Sequence, residues 1–424
     1  MLACGGGRAG PTLADGGAGA ALEDSGFDAS GIDAGDGGEL SPGGGDSGVP
    51  AAGGGDAGGT DGGDGGFVEA PHDPFPQIPD HGGPVIAHPW LVSVTFAGDP
   101  WAAQAIQYDR WIARSGYLEA TGEEYGVGDG PAPEAFTLDG GFPDAGGSSD
   151  VALFLAGAFD AGVLPAPAAG DDRLYVLHLP AGAPLSGMCT TVFGFHAAAA
   201  WQGAPYGFAV TPECPEEATG YPEPENLELV ISHEVLEEAT DPFAGLSGEG
   251  PAWVISDPSD PWYGPGEGEV ADLCEGQVAA LDGGAYDLSD GGFYASTIWS
   301  NRQAAESGGS PCSPEPAGAY FNVSPRPDEV HEVAAGESVT VQLTGWSTAP
   351  VAPWLVYEMA YFGDFDPNAQ FPDGGTIDDG TSLPVTLSVP TGTAPGSRAE
   401  AWIGSYADGS QDITSFWPIS IHVP

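Results

Sequence analysis

The 424-residue chain contains no lysine, and its seven arginines stand against 62 aspartates and glutamates. The formal charge of −55 repels nucleic acid and anionic membranes, which excludes nucleic-acid binding as a function. No run of about 18 apolar residues occurs, so the sequence offers no transmembrane helix. Also missing are a Gly-x-Ser-x-Gly elbow, a phosphate-binding loop and a dinucleotide fingerprint, which removes common routes to serine hydrolysis and nucleotide chemistry. The Gly-Asp nonapeptide of calcium-binding β-rolls never appears in register. The acidity therefore reads first as a solubility device of an exported chain, much of it in Asp-Gly linkers. With 62 acids, no single pair can be nominated for glycosidase chemistry.

Five cysteines are present. Cys189, Cys214, Cys274 and Cys312 form an even set in one region, as two disulfides require, and their oxidation argues against a cysteine nucleophile. Cys4 stands apart in Met1-Leu2-Ala3-Cys4-Gly5, which resembles the end of a bacterial lipoprotein signal. There the cysteine becomes the acylated first residue, a lipid anchor and the only membrane contact expected. Neither a basic nor an apolar segment precedes it, so the expectation needs a true start further upstream; otherwise the match is chance.

Residues 1–66 are Gly, Ala, Asp, Ser and Pro with almost no aromatic or β-branched side chains, and read as a disordered tether. A Pro-rich linker (67–89) follows, whose His72, His81 and His88 read as solvated. From Trp90 the texture is that of a packed α/β domain (90–316). Leu91–Phe96, Leu174–Leu179 and Tyr206–Val210 read as strands, with His178 packed within the second. Asp99 is expected as N-cap and Pro100 as first residue of a helix through Ile112. From about Ala317 alternating segments such as Val339-Val341-Leu343, Leu383 to Val389 and Ile419-Ile421-Val423 are separated by Pro-Gly and Asp-Gly turns. They suggest an immunoglobulin-like β-sandwich over 317–424.

The chemistry concentrates in one helix, expected from about Pro224 to Thr240. Leu227, Ile231, Val235 and Ala239 form an i+4 stripe, Leu229 and Leu236 add a second, and Asp241-Pro242 ends it. His233-Glu234-Val235-Leu236-Glu237 lies on it. His233 and Glu237, four apart, lie roughly 40° from one another around the axis and can reach one ion together. This resembles the zinc-hydrolase HExxH arrangement with glutamate as the second ligand. Glu234 would be the general base toward metal-bound water. The third ligand must come from elsewhere: Glu269 and Asp272 are the first candidates, His196 the next. Two carboxylates and one imidazole neutralise a divalent ion, so zinc is the first choice but manganese or calcium fit better than at three histidines. Glu238, next to Glu237, could be the inward carboxylate instead. The competing reading is a buried His–Glu core hydrogen bond. His196 and Arg302 are possible substrate or oxyanion contacts, Arg302 alternatively forming a salt bridge with a nearby acid.

The segment from Ile231 to Pro242 resembles the SHELxExxTDP stretch of a family of secreted bacterial proteins related to the plant EXORDIUM, or phosphate-induced, proteins. The likeness continues through Trp262-Tyr263, Glu269-Val270-Ala271-Asp272-Leu273-Cys274-Glu275-Gly276 and Trp299-Ser300-Asn301 with Cys312. Cys189 through His196 matches a further segment, so the resemblance covers roughly residues 90–315. It implies a Cys274–Cys312 disulfide, leaving Cys189–Cys214 as the other pair. It also implies a secreted, wall- or surface-associated role and a metalloprotease-like helix, but no substrate. Plant members have Asn at the position of Asp241, and the stretch Phe243 to Pro261 is longer here.

These readings combine into an exported lipoprotein with a tether, a zincin-like α/β domain and a β-sandwich. The expected function is a metal-dependent hydrolase, most plausibly a peptidase, acting on a peptide or cell-surface polymer. The alternative is a non-catalytic surface protein with a structural ion and a glycan- or protein-binding sandwich.

Overall fold

Alternation in β1 (Trp90–Phe96) sends Leu91 and Ser93 to one face and Val92, Val94 and Phe96 to the other. The computed structural model describes residues 67–424 except 244–245, 247–248, 264–267, 282–291, 307–308, 316–317 and 408–412. The expected tether (1–66) and Cys4 lie outside the described residues. Strands β2 (Glu134–Leu138), β3 (Arg173–Leu179), β4 (Phe195–Trp201) and β5 (Ala204–Pro212) join β1 in a five-stranded sheet of order β2-β1-β3-β5-β4. All pairs are parallel except β4–β5. Parallel neighbours require crossovers: α1 (Ala102–Ile112) and α2 (Tyr117–Gly122) lie between β1 and β2, and α3 (Ser148–Asp160) between β2 and β3, while α4 (Glu216–Thr219) and α5 (Glu223–Thr240) follow β5.

The sheet is covered on both faces. Leu91, Leu174, Val176 and Ala209 pack with Tyr108 and Ile112 of α1 and with Leu227, Ile231 and Val235 of α5. On the other face Val92, Val94, Leu177, Phe208 and Val210 pack with Val151, Leu155 and Phe159 of α3. Helix α1 starts at Ala102, not Pro100, because Asp99 Oδ1 accepts from the Trp101 amide at 2.7 Å and closes a turn ahead of it. A polar network pins α1 to the sheet. His178 Nε2 donates to Asp109 Oδ2 at 2.8 Å, Ser93 donates to the same oxygen, and His178 Nδ1 lies 2.8 Å from Thr211 Oγ1. All four residues are buried.

Over α5 lies an antiparallel pair, β6 (Val278–Leu281) and β7 (Phe293–Ser296), whose Tyr294 and Ser296 amides donate to Glu228 Oε2 and Ser232 Oγ, each at 2.9 Å. A short pair follows, β8 (Ile298–Trp299) with β9 (Cys312–Ser313), spanned by α6 (Asn301–Ala305).

Beyond these come β10 (Phe321–Arg326), β11 (His331–Glu332), β12 (Ser338–Ser347), β13 (Trp354–Gly363), β14 (Thr376–Ile377), β15 (Ser382–Ser388), β16 (Arg398–Tyr406) and β17 (Ile413–His422). They form two sheets, β10-β12-β15 and β11-β17-β16-β13-β14, antiparallel throughout except β11–β17. Val323, Val341, Leu343, Val385 and Leu387 of the first sheet share a core with Val356, Ala401, Ile403 and Ile419 of the second.

That core is continuous with the one under α5, through Trp262, Trp299 and Trp417. Residues 67–89, expected as a linker, are strapped across the junction. His72 stacks on Trp346 at 3.7 Å, which corrects its expected solvation, while His81 and His88 are exposed. Phe75 sits against Trp299, Trp417 and Tyr320. Ile78 is bonded through its backbone to the Asn301 amide and is fully buried, a side-chain burial contributing about 1.5–3 kcal/mol.

Candidate metal centre

Helix α5 is buried over its whole length from Asn226 to Thr240, although half of that stretch is polar. One side meets the sheet, and the other meets β7 and the segment Glu269–Glu275, so its acidic residues face an enclosed interior. Three elements converge there. From α5 come His233, Glu234, Glu237 and Glu238, with Asp241 at its end. The segment around the 3-10 turn Asp272–Cys274 brings Glu269, Asp272 and Glu275. Strand β4 brings His196, which pairs in register with Ala209 and so shares the sheet face turned to α5.

Each approach has a local cause. The Ala271 and Asp272 amides both donate to Glu237 Oε1 at 3.1 Å, which docks the acidic segment on the helix. Cys274–Cys312 and the Trp299 amide, bonded to Val270 O at 2.8 Å, hold it from behind. The other disulfide, Cys189–Cys214, ties the approach to β4 to the exit from β5. Both pairings are those implied by the resemblance. Two glycines let carboxylates reach the sheet. A Cβ at Gly194 would lie 2.5 Å from Glu234 Oε1, and one at Gly207 would overlap Glu238 Oε1.

The donor atoms fall into two groups, His233–Glu237–Asp272 and His196–Glu237–Glu269, each with its members within 4.8 Å of one another. His233 Nε2 is 3.0 Å from Glu237 Oε2 and 3.5 Å from Asp272 Oδ1, and its Nδ1 is 3.7 Å from Glu275 Oε2. His196 Nδ1 is 3.3 Å from Glu234 Oε2 and 3.6 Å from Glu237 Oε2, and its Nε2 is 3.3 Å from Glu269 Oε1. Thus all of His233, Glu234, Glu237, Glu269, Asp272 and His196 come together. Arg302 is exposed on α6, where its backbone amide is bonded to Glu124.

The electrostatics are lopsided. Seven buried carboxylates (Glu234, Glu237, Glu238, Asp241, Glu269, Asp272 and Glu275) face two imidazoles. Among the described residues no arginine is paired with any of them. Burial raises Glu237, and pushes Asp272 up to about 7 with help from the Glu237 charge. Burial likewise pushes Glu275 up to about 8 and Glu238 well above the usual range. For His196 burial opposes the charged form, but the Glu269 charge and the bond to Glu234 prevail and raise it well above its ordinary value. Glu234 Oε1, Asp272 Oδ2, Glu275 Oε1 and both Glu238 oxygens are buried without a hydrogen-bond partner. An oxygen-rich donor set with nitrogen from imidazole, short of positive charge, fits a divalent ion such as zinc or manganese.

Sequence reasoning missed Glu275, though it stands three residues after Asp272 in the same segment, a spacing that could have nominated it. It also missed Glu400 of β16, a buried carboxyl that burial pushes up to about 8. Glu400 lines a small cleft of about 10 Å³, partly open to solvent, with Trp262, Gly268, Asp272, Trp402 and Phe416. Asp272 is the member of the donor set that reaches this cleft.

No protein-family model matches the chain, nor does any curated protein. Among solved structures, domains 4 and 5 of the S-layer protein SbsC are 12% identical with a TM-score of 0.16, over 32% of this chain and 88% of theirs. A nucleoside hydrolase-related hypothetical protein from Saccharophagus degradans, described as associated with carbohydrate metabolism, is 11% identical with a TM-score of 0.27. That match covers 80% of this chain and 100% of its own. Superpositions this poor bear on neither fold nor chemistry.

Proposed function

We propose that this is an exported metal-dependent hydrolase, most plausibly a peptidase acting on a peptide or cell-surface polymer. The observation that carries the reading is the convergence of His233, Glu237 and Asp272 donors within 4.8 Å, with Glu234 beside them. In this reading His233, Glu237 and Asp272 hold the ion, zinc first and manganese or calcium next. A bound divalent ion supplies an acidified water at neutral pH. Glu234, whose carboxylate is oriented by His196 Nδ1 at 3.3 Å, would serve as the proton acceptor there. Glu237 is fixed by two backbone N–H donors, so its second oxygen is presented in one direction. The proposal includes a zincin-like α/β domain (90–316), an immunoglobulin-like domain (317–424), kinship with the EXORDIUM-type secreted proteins and a lipid-anchored envelope location. The two disulfides support an oxidising, extracellular setting.

Metal content of the full chain, measured by mass spectrometry beside a His233→Ala/Glu237→Ala variant, is the test. Bound zinc or manganese that is lost in the variant supports the reading, as does Glu234→Gln that keeps metal and loses peptide turnover. Metal-free protein in both samples refutes it. A second reading, a structural ion in a non-catalytic surface protein, is favoured by one observation: every donor residue is at most 5% exposed. Under that reading chelation lowers the melting temperature and no substrate is turned over.

A further inference from the structure

We infer that the centre is dinuclear, with Glu237 bridging one ion held by His233 and Asp272 and a second held by His196 and Glu269. This rests on the metal reading above and extends it. The two donor groups share Glu237 and divide the histidines, one to each. Donors of a single zinc-sized ion lie no further apart than twice a metal–ligand bond, about 4.2 Å. The two triads have only Glu237 in common, so each has its own histidine and its own second carboxylate with which to hold an ion.

Glu237 is placed to bridge. Its Oε1 is occupied by the Ala271 and Asp272 amides, and its Oε2 lies 3.0 Å from His233 Nε2 and 3.6 Å from His196 Nδ1. One carboxylate oxygen thus sits between two imidazoles that come from opposite walls, helix α5 and strand β4. Two-metal hydrolytic sites hold their ions about 3.5–4 Å apart, a spacing that a single shared carboxylate sets. If His196 Nε2, which lies 3.3 Å from Glu269 Oε1, takes the ion, Nδ1 keeps Glu234 as the outer carboxylate partner that fixes a ligating imidazole.

An independent observation is that buried oxygens with no hydrogen-bond partner lie on both sides of Glu237: Asp272 Oδ2 and Glu275 Oε1 on the residues beside His233, and Glu234 Oε1 on the residue bonded to His196. The dinuclear arrangement also puts Glu234, 3.3 Å from His196, beside the second ion as well as the first. It would then act on a water between the two, the geometry of metal-assisted hydrolysis of an amide or ester.

The test is stoichiometry on the full chain, stripped with chelator and dialysed against Zn²⁺, with Mn²⁺-loaded samples read by electron paramagnetic resonance. We expect two equivalents per chain and an exchange-coupled Mn²⁺ signal in the wild type. His196→Ala and Asp272→Ala should each fall to one equivalent and give the signal of isolated Mn²⁺. Glu269→Gln, which keeps side-chain shape, carries the same expectation if His196→Ala fails to fold. One equivalent in the wild type, unchanged in His196→Ala and Glu269→Gln, overturns the pair and leaves the single-ion hydrolase standing. No bound metal in the wild type overturns both.

Discussion

Gly194→Ala is a direct test of how the helix carboxylates reach the sheet. An added Cβ would lie 2.5 Å from Glu234 Oε1 and 2.6 Å from Val230 Cγ1. Ordinary contact begins near 3.4 Å, so about 0.9 and 0.8 Å must be found. Glu234 is 1% exposed and Val230 fully buried, so neither can swing into solvent. Overpacking of this kind costs about 1–3 kcal/mol. For a chain of this size that lowers the melting temperature by roughly 1–4 °C. Gly157→Ala is the control of opposite sign, because Gly157 is exposed on α3 and its Cβ would meet nothing within 4 Å. There alanine's helix propensity should add about 0.5–1 kcal/mol. Calorimetry on both variants reads the difference. In the hydrolase reading, displacement of Glu234 also loosens its 3.3 Å contact with His196, so turnover falls while metal stays bound. A Gly194→Ala protein that melts at or above wild type, with Gly157→Ala stabilised as expected, would falsify the placement of Glu234.

Two further outcomes follow from other parts of the fold. The disulfides close separations of 25 and 38 residues, and the chain-entropy relation gives about 3.5 and 3.9 kcal/mol for Cys189–Cys214 and Cys274–Cys312. Cys274→Ser/Cys312→Ser should therefore unfold at clearly lower denaturant and also shed metal, because it frees the Glu269–Glu275 segment; unchanged denaturation midpoint and metal content would count against it. Glu400, pushed up to about 8 by burial, contributes stability that is present below its unfolded pKa near 4.5 and is lost as pH rises through 8. Glu400→Gln removes that titration, so its advantage over wild type should grow between pH 5 and 9, on the order of a few kcal/mol, and parallel melting curves would rule the account out.

Helix α5 was legible because its apolar stripes and its Asp241-Pro242 stop are local signals, and its observed span, Glu223–Thr240, differs by one residue at the start. Strands β1, β3 and β5 were legible for the same reason. Strand β4 was not: Phe195–Trp201 contains four consecutive alanines, which favour helix, and becomes a strand through pairing with β5. That pairing is what turns His196 toward α5, so its residue type could be nominated from sequence while its direction could not. Helix α3 and the short edge strand β2 also went unread, the first carrying Gly157 and the second only five residues long. The Asp109–His178 bond spans 69 positions, and nothing local announces it. Glu400 entered the cleft beside Asp272 from more than a hundred residues away, through the packing of β16 and β17 on Trp262.

That last placement bears on what the C-terminal strands are for. A spacer or a free-standing binding module would keep its own core and meet the half that carries the donor cluster at a polar seam. Here one apolar core runs from Tyr108 under α5, through Trp262, Trp299 and Trp417, to Val423 at the chain's end. The donor cluster itself is enclosed, and the cleft that touches it at Asp272 has Trp262, Gly268 and Leu273 on one wall and Glu400, Trp402, Phe416 and Pro418 on the other. The C-terminal strands thus complete the wall beside Asp272 and belong to the same packed body as the donor cluster.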